Sequence, residues 1–313
     1  MPLTIGVDVG GTKIAAGVVS TSGEILERQR QVTPARDARA TSEAIVAMVQ
    51  ELRTRHDVEA VGVGAAGYVD ADRSTVLFAP NLAWRDEPLR AAIEEQVGIP
   101  VAIENDANAA AWGEFRFGAG ADVDDLVMVA VGTGIGGGVV LGGQLFRGHF
   151  GIAAEFGHIR AVPRGRVCGC GNYGCWEQYA SGKALVRSVR EVAETRSPRA
   201  ADVLDRAGGD PAAIDGQMIT AAAAAGDLLS VEAFEDLGRW LGEGLCDLVL
   251  AFDPSVIVIG GGVSEAGELL VDPTVAAFHR QLPGRGHRPE PELRLAQLAN
   301  TAGIIGASDL ARQ

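Results

Sequence analysis

Only two of the 27 basic residues are lysines, Lys13 and Lys183, and 41 acidic residues leave a formal net charge of −14. Such a chain lacks the clustered cations that a phosphate backbone demands, which argues against a nucleic-acid partner. No segment reaches the run of about 20 apolar residues that a membrane-spanning helix needs, so no membrane association is expected. The opening MPLTIGVDVGG has neither a basic start nor a leader-like apolar stretch and enters a strand pattern at once. The expectation is an uncleaved cytoplasmic protein. Cysteine is scarce, four in 313 residues, and in a reducing compartment disulfides are not the expected fate. The phosphate-loop sequence GxxxxGK[ST] is missing.

What is present suits two α/β domains of ordinary size, with 47% hydrophobic residues. Leu3 to Val9 and Ala15 to Ser20 read as strands around Gly10-Gly11-Thr12, followed by a turn at Thr21-Ser22-Gly23 and another short strand. A helix capped by Thr41-Ser42 is expected over Ala40 to Arg55. A strand over Ala60 to Gly64, a helix over Glu87 to Val97 and a strand over Pro100 to Glu104 continue the alternation of an α/β domain. Near residue 126 the pattern restarts: VDVGGTKIAAGVV (7–19) lies beside VAVGTGIGGGVVL (129–141), which points to an internal duplication. Helices are expected over Gly182 to Glu194, 217–225 and 228–251, then a strand over Val256 to Ile259. Ser197 to Asp215 reads as a looser surface excursion.

Three glycine turns, at 10–12, 132–138 and 260–262, each follow a strand. Glycine allows positive φ and lets a phosphate approach backbone N–H groups without a Cβ in the way. Gly132, Gly134 and Gly137 satisfy GxGxxG, but a dinucleotide fingerprint needs a helix next, and Gly138-Val139-Val140-Leu141 reads as strand. The turns are therefore either plain hairpins or parts of a nucleotide site. Lys13 is either a phosphate contact or a solvated lysine, and Asp8 is placed to hold magnesium through water.

In PVAIENDANAAAWGE (100–114) an acidic pair brackets an amide where a strand gives way to an alanine-rich helix. A carboxylate there is held ionised by the helix N-terminus. Asn105 or Asp106 is a plain cap, or Asp106 is a base with Asn105 as its neighbour, at the strand end where such sheets collect ligands. Further on, HIRAVPRGRVCGCGNYGCWEQ (158–178) holds three of the four cysteines. His-x9-Cys-x-Cys-x4-Cys matches the donor set of a closed tetrahedral zinc site, although its one-residue gap departs from the usual CxxC knuckle. Loose buried thiols and a redox pair are the alternatives. Folding this loop onto a metal would pin His158 beside Cys175 and bring Glu155 and Glu177 together, a polar cluster suited to sugar hydroxyls. Cys246, on an expected helix, reads as core.

DVGGTKIAAGVV, ENDANAAAWGE, VGTGIGGGVV, GIAAEFGH and CGCGNYGCWEQYASG, running on to NTAGIIGASDLA, together resemble the ROK family of sugar kinases and repressors. The resemblance implies a two-domain actin/hexokinase-like (ribonuclease H-like) α/β fold with an interdomain cleft. The domains would be a small one of residues 1–108 plus 299–313 and a large one of 109–298 carrying the zinc loop. It implies Asp106 as general base, sugar contacts from Gly67, Asn81, Asn105, Asp106, Glu155, His158 and Glu177, and structural zinc on His158, Cys168, Cys170 and Cys175. ATP with Mg2+ would set its phosphates against Gly10, Gly11, Thr12 and Lys13 and against Gly132, Thr133, Gly134 and Gly136, with the nucleoside near Gly260, Gly261 and Gly262. The family's repressors carry a helix-turn-helix ahead of the first strand, which here begins at residue 3. Its epimerase–kinases need a further domain. A kinase is what remains, most similar in pattern to the glucokinases, and the expected reaction is phosphorylation of glucose at O6. Fructose, mannose, allose and N-acetylhexosamines are the alternative sugars, and a non-catalytic sugar sensor is the alternative of another class. The family suggests a homodimer or homotetramer.

Overall fold

In the computed structural model, which describes residues 2–313, β1 (Leu3–Val9) and β2 (Lys13–Val19) form an antiparallel hairpin that β3 (Ile25–Val32) extends. α1 (Ala38–Arg53) leads to β4 (Val58–Ala65), parallel to β1. A small antiparallel sheet follows, made of β5 (Tyr68–Val69), β6 (Val76–Phe78) and β7 (Arg85–Glu87). α2 (Leu89–Val97) then enters β8 (Val101–Asn105), parallel to β4, and α3 (Asp106–Phe117) begins at once. The first large sheet has the order β3-β2-β1-β4-β8. Its strands bury Ile5, Val7, Val61, Val63 and Ile103 against Ile45, Val49 and Leu52 of α1 and Ile93 of α2. Each such fully buried side chain contributes about 1.5–3 kcal/mol, so the strand ends that carry polar residues are rigidly placed.

The second half supplies β9 (Leu126–Val131), β10 (Ile135–Leu141) and β11 (Gln144–Leu145). The helices α4 (Glu177–Ala180), α5 (Gly182–Glu194), α6 (Ala201–Arg206), α7 (Gly216–Ala224) and α8 (Leu228–Phe252) follow, then β12 (Val256–Gly260), α9 (Glu268–Gln281), β13 (Glu292–Leu295) and α10 (Ala302–Leu310). The second large sheet has the order β11-β10-β9-β12-β13. Two compact units result: Met1–Met128 with Gly137–Ala154 and Ala296–Gln313, and Val129–Gly136 with Glu155–Leu295. The boundary expected at residue 108 falls inside α3, a continuous helix packed on α10. In the first unit α10 lies directly on the sheet, and a Cβ on Gly6 or Gly62 would strike the carbonyls of Ile304 or Ala307. No helix among the described residues is long and apolar enough to cross a membrane.

Three local expectations need correction. α1 is capped by Asp37, whose carboxylate accepts the Ala40 N–H at 3.0 Å, while Thr41 and Ser42 lie inside the helix and donate back to the Asp37 and Ala38 carbonyls. Asp37 competes better because its acceptor reaches the unpaired N–H groups of the first turn. The helix expected from Glu87 starts at Leu89, since Arg85–Glu87 pair with β6 and Pro88 intervenes. The excursion 197–215 contains α6 and two 3-10 turns, at Pro198–Ala200 and Pro211–Ala213, each opened by a proline. Proline at a first helical position is preorganised for helix rather than a breaker of it.

Candidate active site and metal centre

β8 ends at Asn105, and its side chain caps α3 by accepting the Asn108 N–H at 2.9 Å. The plain-cap role therefore belongs to Asn105 and not to Asp106. The Asn105 amide donates to the Gly67 carbonyl at 3.1 Å and to Asp106 Oδ1 at 3.2 Å. The same oxygen accepts the Ala107 N–H at 2.9 Å, so the half-buried Asp106 carboxylate has a fixed orientation on the first turn of a helix. Gly67 must be glycine, since a Cβ there would strike the Phe78 carbonyl.

The hairpin turn at 10–13 is closed by Gly10 N–H to Lys13 O at 3.0 Å and covered by Thr33, whose hydroxyl donates to the Gly10 carbonyl at 2.7 Å. Thr12 and Lys13 are exposed. Burial pushes the Asp8 carboxyl above its ordinary range, against the pull of Lys13 and Arg28. Asn81, expected at the sugar, lies against this turn: a Cβ on Gly11 would meet the Asn81 Cβ.

In the second unit one ligand atom from each of His158, Cys168, Cys170 and Cys175 falls within 4.8 Å of the others. His158 Nδ1 lies 3.7 Å from Cys168 Sγ, and Cys170 and Cys175 Sγ are 3.6 Å apart. Thiolates around a tetrahedral ion with bonds of about 2.3 Å sit about 3.8 Å from one another, so the donor set and its spacing fit zinc. All four cysteines are free thiols, and none is paired in a disulfide. Burial pushes the Cys168 thiol up to about 12, while at Cys170 hydrogen bonds from Asn172 and the neighbouring thiols outweigh burial and lower it. A soft divalent cation would resolve this mismatch by taking all three as thiolates.

A bridge between Arg160 and Cys175 and the bond from Trp176 N–H to Ile159 O at 2.8 Å hold the two arms of the loop together. Glu177 thereby comes within 4.0 Å of His158 Nδ1. Burial raises the Glu155 carboxyl above its usual range, the Glu177 charge adds to this, and His158 opposes it. Glu177 also faces Gly134, where any Cβ would collide with its carboxylate. Further along, Gly182 N–H donates to the Gly132 carbonyl at 2.8 Å. The cysteine loop, the carboxylate behind it and the glycine turn at 132–134 are one connected structure.

A cavity of about 710 Å³ adjoins this turn, lined among others by Gly132, Thr133, Gly182, Lys183, Gly262 and Val263. That volume suits a small organic ligand. Gly134, Gly136, Gly260 and Gly261 do not line it. Gly136 lies within β10 and Gly260 ends β12, while Gly261, at φ 84°, packs against the Val131 backbone. Sequence reasoning missed Lys183 and Gly182 here. The signal was available, since Lys183 is one of two lysines and follows the Ser181 cap of α5. It also missed Glu104 as a buried charge, 2% exposed and paired with Arg73 and Arg147.

Set beside known proteins, residues 4–313 match the model of the ROK family. A glucokinase of Streptomyces coelicolor is 51% identical over 313 residues, covering 100% of this chain and 98% of that protein. The crystal structure of a ROK family glucokinase from Streptomyces griseus, in complex with glucose and AMPPNP, superposes with a TM-score of 0.92 at 55% identity, covering 99% of both chains. A ROK hexokinase from Thermus thermophilus gives 0.82 at 36% identity, covering 99% of this chain and 98% of that one. The likeness fixes the architecture as actin/hexokinase-like. From its first strand to its last helix, this chain belongs to the ROK family.

Proposed function

We propose that the protein transfers the γ-phosphoryl group of ATP to O6 of glucose, giving glucose 6-phosphate and ADP. The observation that carries this reading is the Asn105–Asp106 corner, a carboxylate oriented at the carboxyl end of a parallel strand, in a chain alike over its whole length to glucokinases. Asp106 accepts the proton of the O6 hydroxyl as that oxygen attacks phosphorus in line and the bond to ADP breaks. Asn105, Glu155, His158 and Glu177 take sugar hydroxyls, with Gly67 and Asn81 as further contacts. Gly132, Thr133 and Lys183 hold the nucleotide, together with Gly10 to Lys13. Asp8 and Lys13 sit at one hairpin, where bound Mg2+ would neutralise phosphate charge.

Zinc on His158, Cys168, Cys170 and Cys175 would supply geometry and no reactive position, because four protein ligands fill its tetrahedron. Nδ1 faces the sulfurs, so with the metal bound there His158 would carry its proton on Nε2 and could donate from there to a hydroxyl. A coupled ADP-release assay over a panel of hexoses and phosphate donors tests the reading. Glucose with ATP should give the highest kcat/KM, with product phosphorylated at O6. A preference for fructose or an N-acetylated sugar would sink the glucose assignment, and no ADP with any sugar would leave a sugar sensor.

A further inference from the structure

The buried carboxylate of Glu104 has no part in the reaction just described, yet it is bonded to Asn105, the residue whose amide holds Asp106. Its Oε1 accepts the Asn105 N–H at 2.9 Å and the Asn108 amide at 3.1 Å. Asn108 in turn gives its own N–H to the Asn105 side chain. One oxygen thus joins the last residue of β8 to the first turn of α3 from behind. The other oxygen, Oε2, faces two guanidiniums: Arg73 Nε donates to it at 3.1 Å, and Arg147 Nε lies 2.8 Å away, off the line of a hydrogen bond. Arg147 turns its remaining nitrogens to the Asp70 and Ala71 carbonyls, at 2.7 and 2.8 Å.

Arg147 is therefore a fork between a buried anion and a loop, and that loop begins at Gly67, the second acceptor of the Asn105 amide. The rest of the loop is drawn in from both sides. Arg73, at φ 55°, returns its carbonyl to Ile103 N–H, and Asp70 accepts from the N–H groups of Ser74 and Thr75. Burial alone would raise the Asp70 carboxyl, but those hydrogen bonds outweigh it and leave it lowered. The segment after Arg147 lies on the same loop: Gly151, at φ 88°, is pressed against the Val69 and Asp70 backbone with no room for a Cβ. With Arg147 only 11% exposed and Glu104 2%, water does little to screen the pair.

We propose that Glu104 and Arg147 are positioning residues for the phosphoryl transfer, setting the Asn105–Asp106 corner and the Gly67 loop in register with each other; this rests on Asp106 being the base. Neither residue touches the reacting atoms. Each acts on Asn105, whose N–H, side-chain amide and amide oxygen are all held by this network, the oxygen keeping a second lone pair for a sugar hydroxyl. Loss of either should therefore impair the sugar side of the reaction and spare the nucleotide side.

The test compares Glu104→Gln, Arg147→Met, the double variant and Asp106→Asn as full-length protein, with glucose and ATP varied separately. Arg147→Met should lower kcat about tenfold or more and raise KM for glucose several-fold, because a misplacement of about 1 Å near reacting groups is costly. KM for ATP should change little, and Tm should fall, since a buried carboxylate loses one of its two cations. Glu104→Gln should do the same, and the double variant should be no worse than the worse single, as residues of one network are not additive. If Glu104→Gln fails to fold, Arg147→Met, in which Glu104 keeps Arg73, decides the matter. Wild-type kcat and glucose KM in Arg147→Met would overturn the proposal, and so would an equal rise in both KM values. An active Asp106→Asn would instead overturn the reading of the base.

Discussion

Between His158 and Glu177 the chain folds around four side chains close together in sequence, whereas the corner at Asp106 is assembled from residues 67, 70, 73, 104 and 147. The loop has almost no core of its own. Val167 and Tyr173, which bridge its two arms, are 67% and 55% exposed, and its regular pairing consists of isolated bridges. The corner sits on buried strands and helices and is tied by a charge network of low exposure. A shape that a metal would hold fails when its ligands go, while shape held by packing fails only locally. Variants at the two places should therefore fail differently: removing a chemical group from the corner should cost rate, and removing a ligand from the loop should cost binding.

The largest effect is expected at the corner. Asp106→Asn should lower kcat by about 10²–10⁴-fold, the range for losing a general base, while glucose still binds and melting stays cooperative. Steady-state kinetics with calorimetric titration checks this. Second is Cys175→Ser, which should lose most of its zinc by metal analysis and raise KM for glucose about tenfold or more. The nucleotide should not be spared, because Gly182 is bonded to Gly132 and Glu177 lies over Gly134, so KM for ATP should rise as well. This differs from what sequence distance suggests, namely that nucleotide binding is remote from the cysteines.

A sharper version of the comparison leaves the metal in place. Gly134→Ala puts a methyl group against the Glu177 carboxylate and should raise KM for glucose several-fold with zinc content unchanged. Unchanged KM in that variant would mean Glu177 moves aside freely.

The smallest effect concerns stability at Asp8. Its folded pKa is raised by burial, so the folded state binds the proton more tightly than the unfolded one. Stability is then highest below the unfolded value and falls as pH rises through the folded pKa. Asp8→Asn removes that cost and should raise Tm at pH 7.5 relative to wild type, with less gain at pH 4. Equal shifts at the two pH values would contradict the assignment.

The parts of the site that are legible in the sequence are those whose residues lie near one another along the chain. The four candidate metal ligands fall within 18 residues and their chemistry is distinctive, so the cluster can be read directly. Asn105 and Asp106 stand out because a polar pair marks the strand-to-helix switch, although composition alone does not separate a cap from a base. Arg147 leaves no trace, since one arginine among 25 says nothing of a carboxylate 43 residues earlier. The contact between Glu177 and Gly134 is hidden for the same reason, although each residue is conspicuous by itself. Asp37 escapes notice as a cap because Thr41 and Ser42 are equally plausible caps by composition and only backbone geometry separates them. Gly261 looks like the other glycine turns, and its smallness is needed for close packing on the Val131 backbone, a contact that no local pattern announces.

Glucose affinity by calorimetry and single-turnover formation of glucose 6-phosphate, measured side by side on Asp106→Asn and Cys175→Ser, test the central claim most directly. The account predicts that Asp106→Asn keeps its glucose Kd and loses the rate, and that Cys175→Ser loses zinc and glucose affinity, recovering much of its single-turnover rate at saturating sugar and ATP. Wild-type turnover in Asp106→Asn, or an unchanged glucose Kd in zinc-depleted Cys175→Ser, would contradict it.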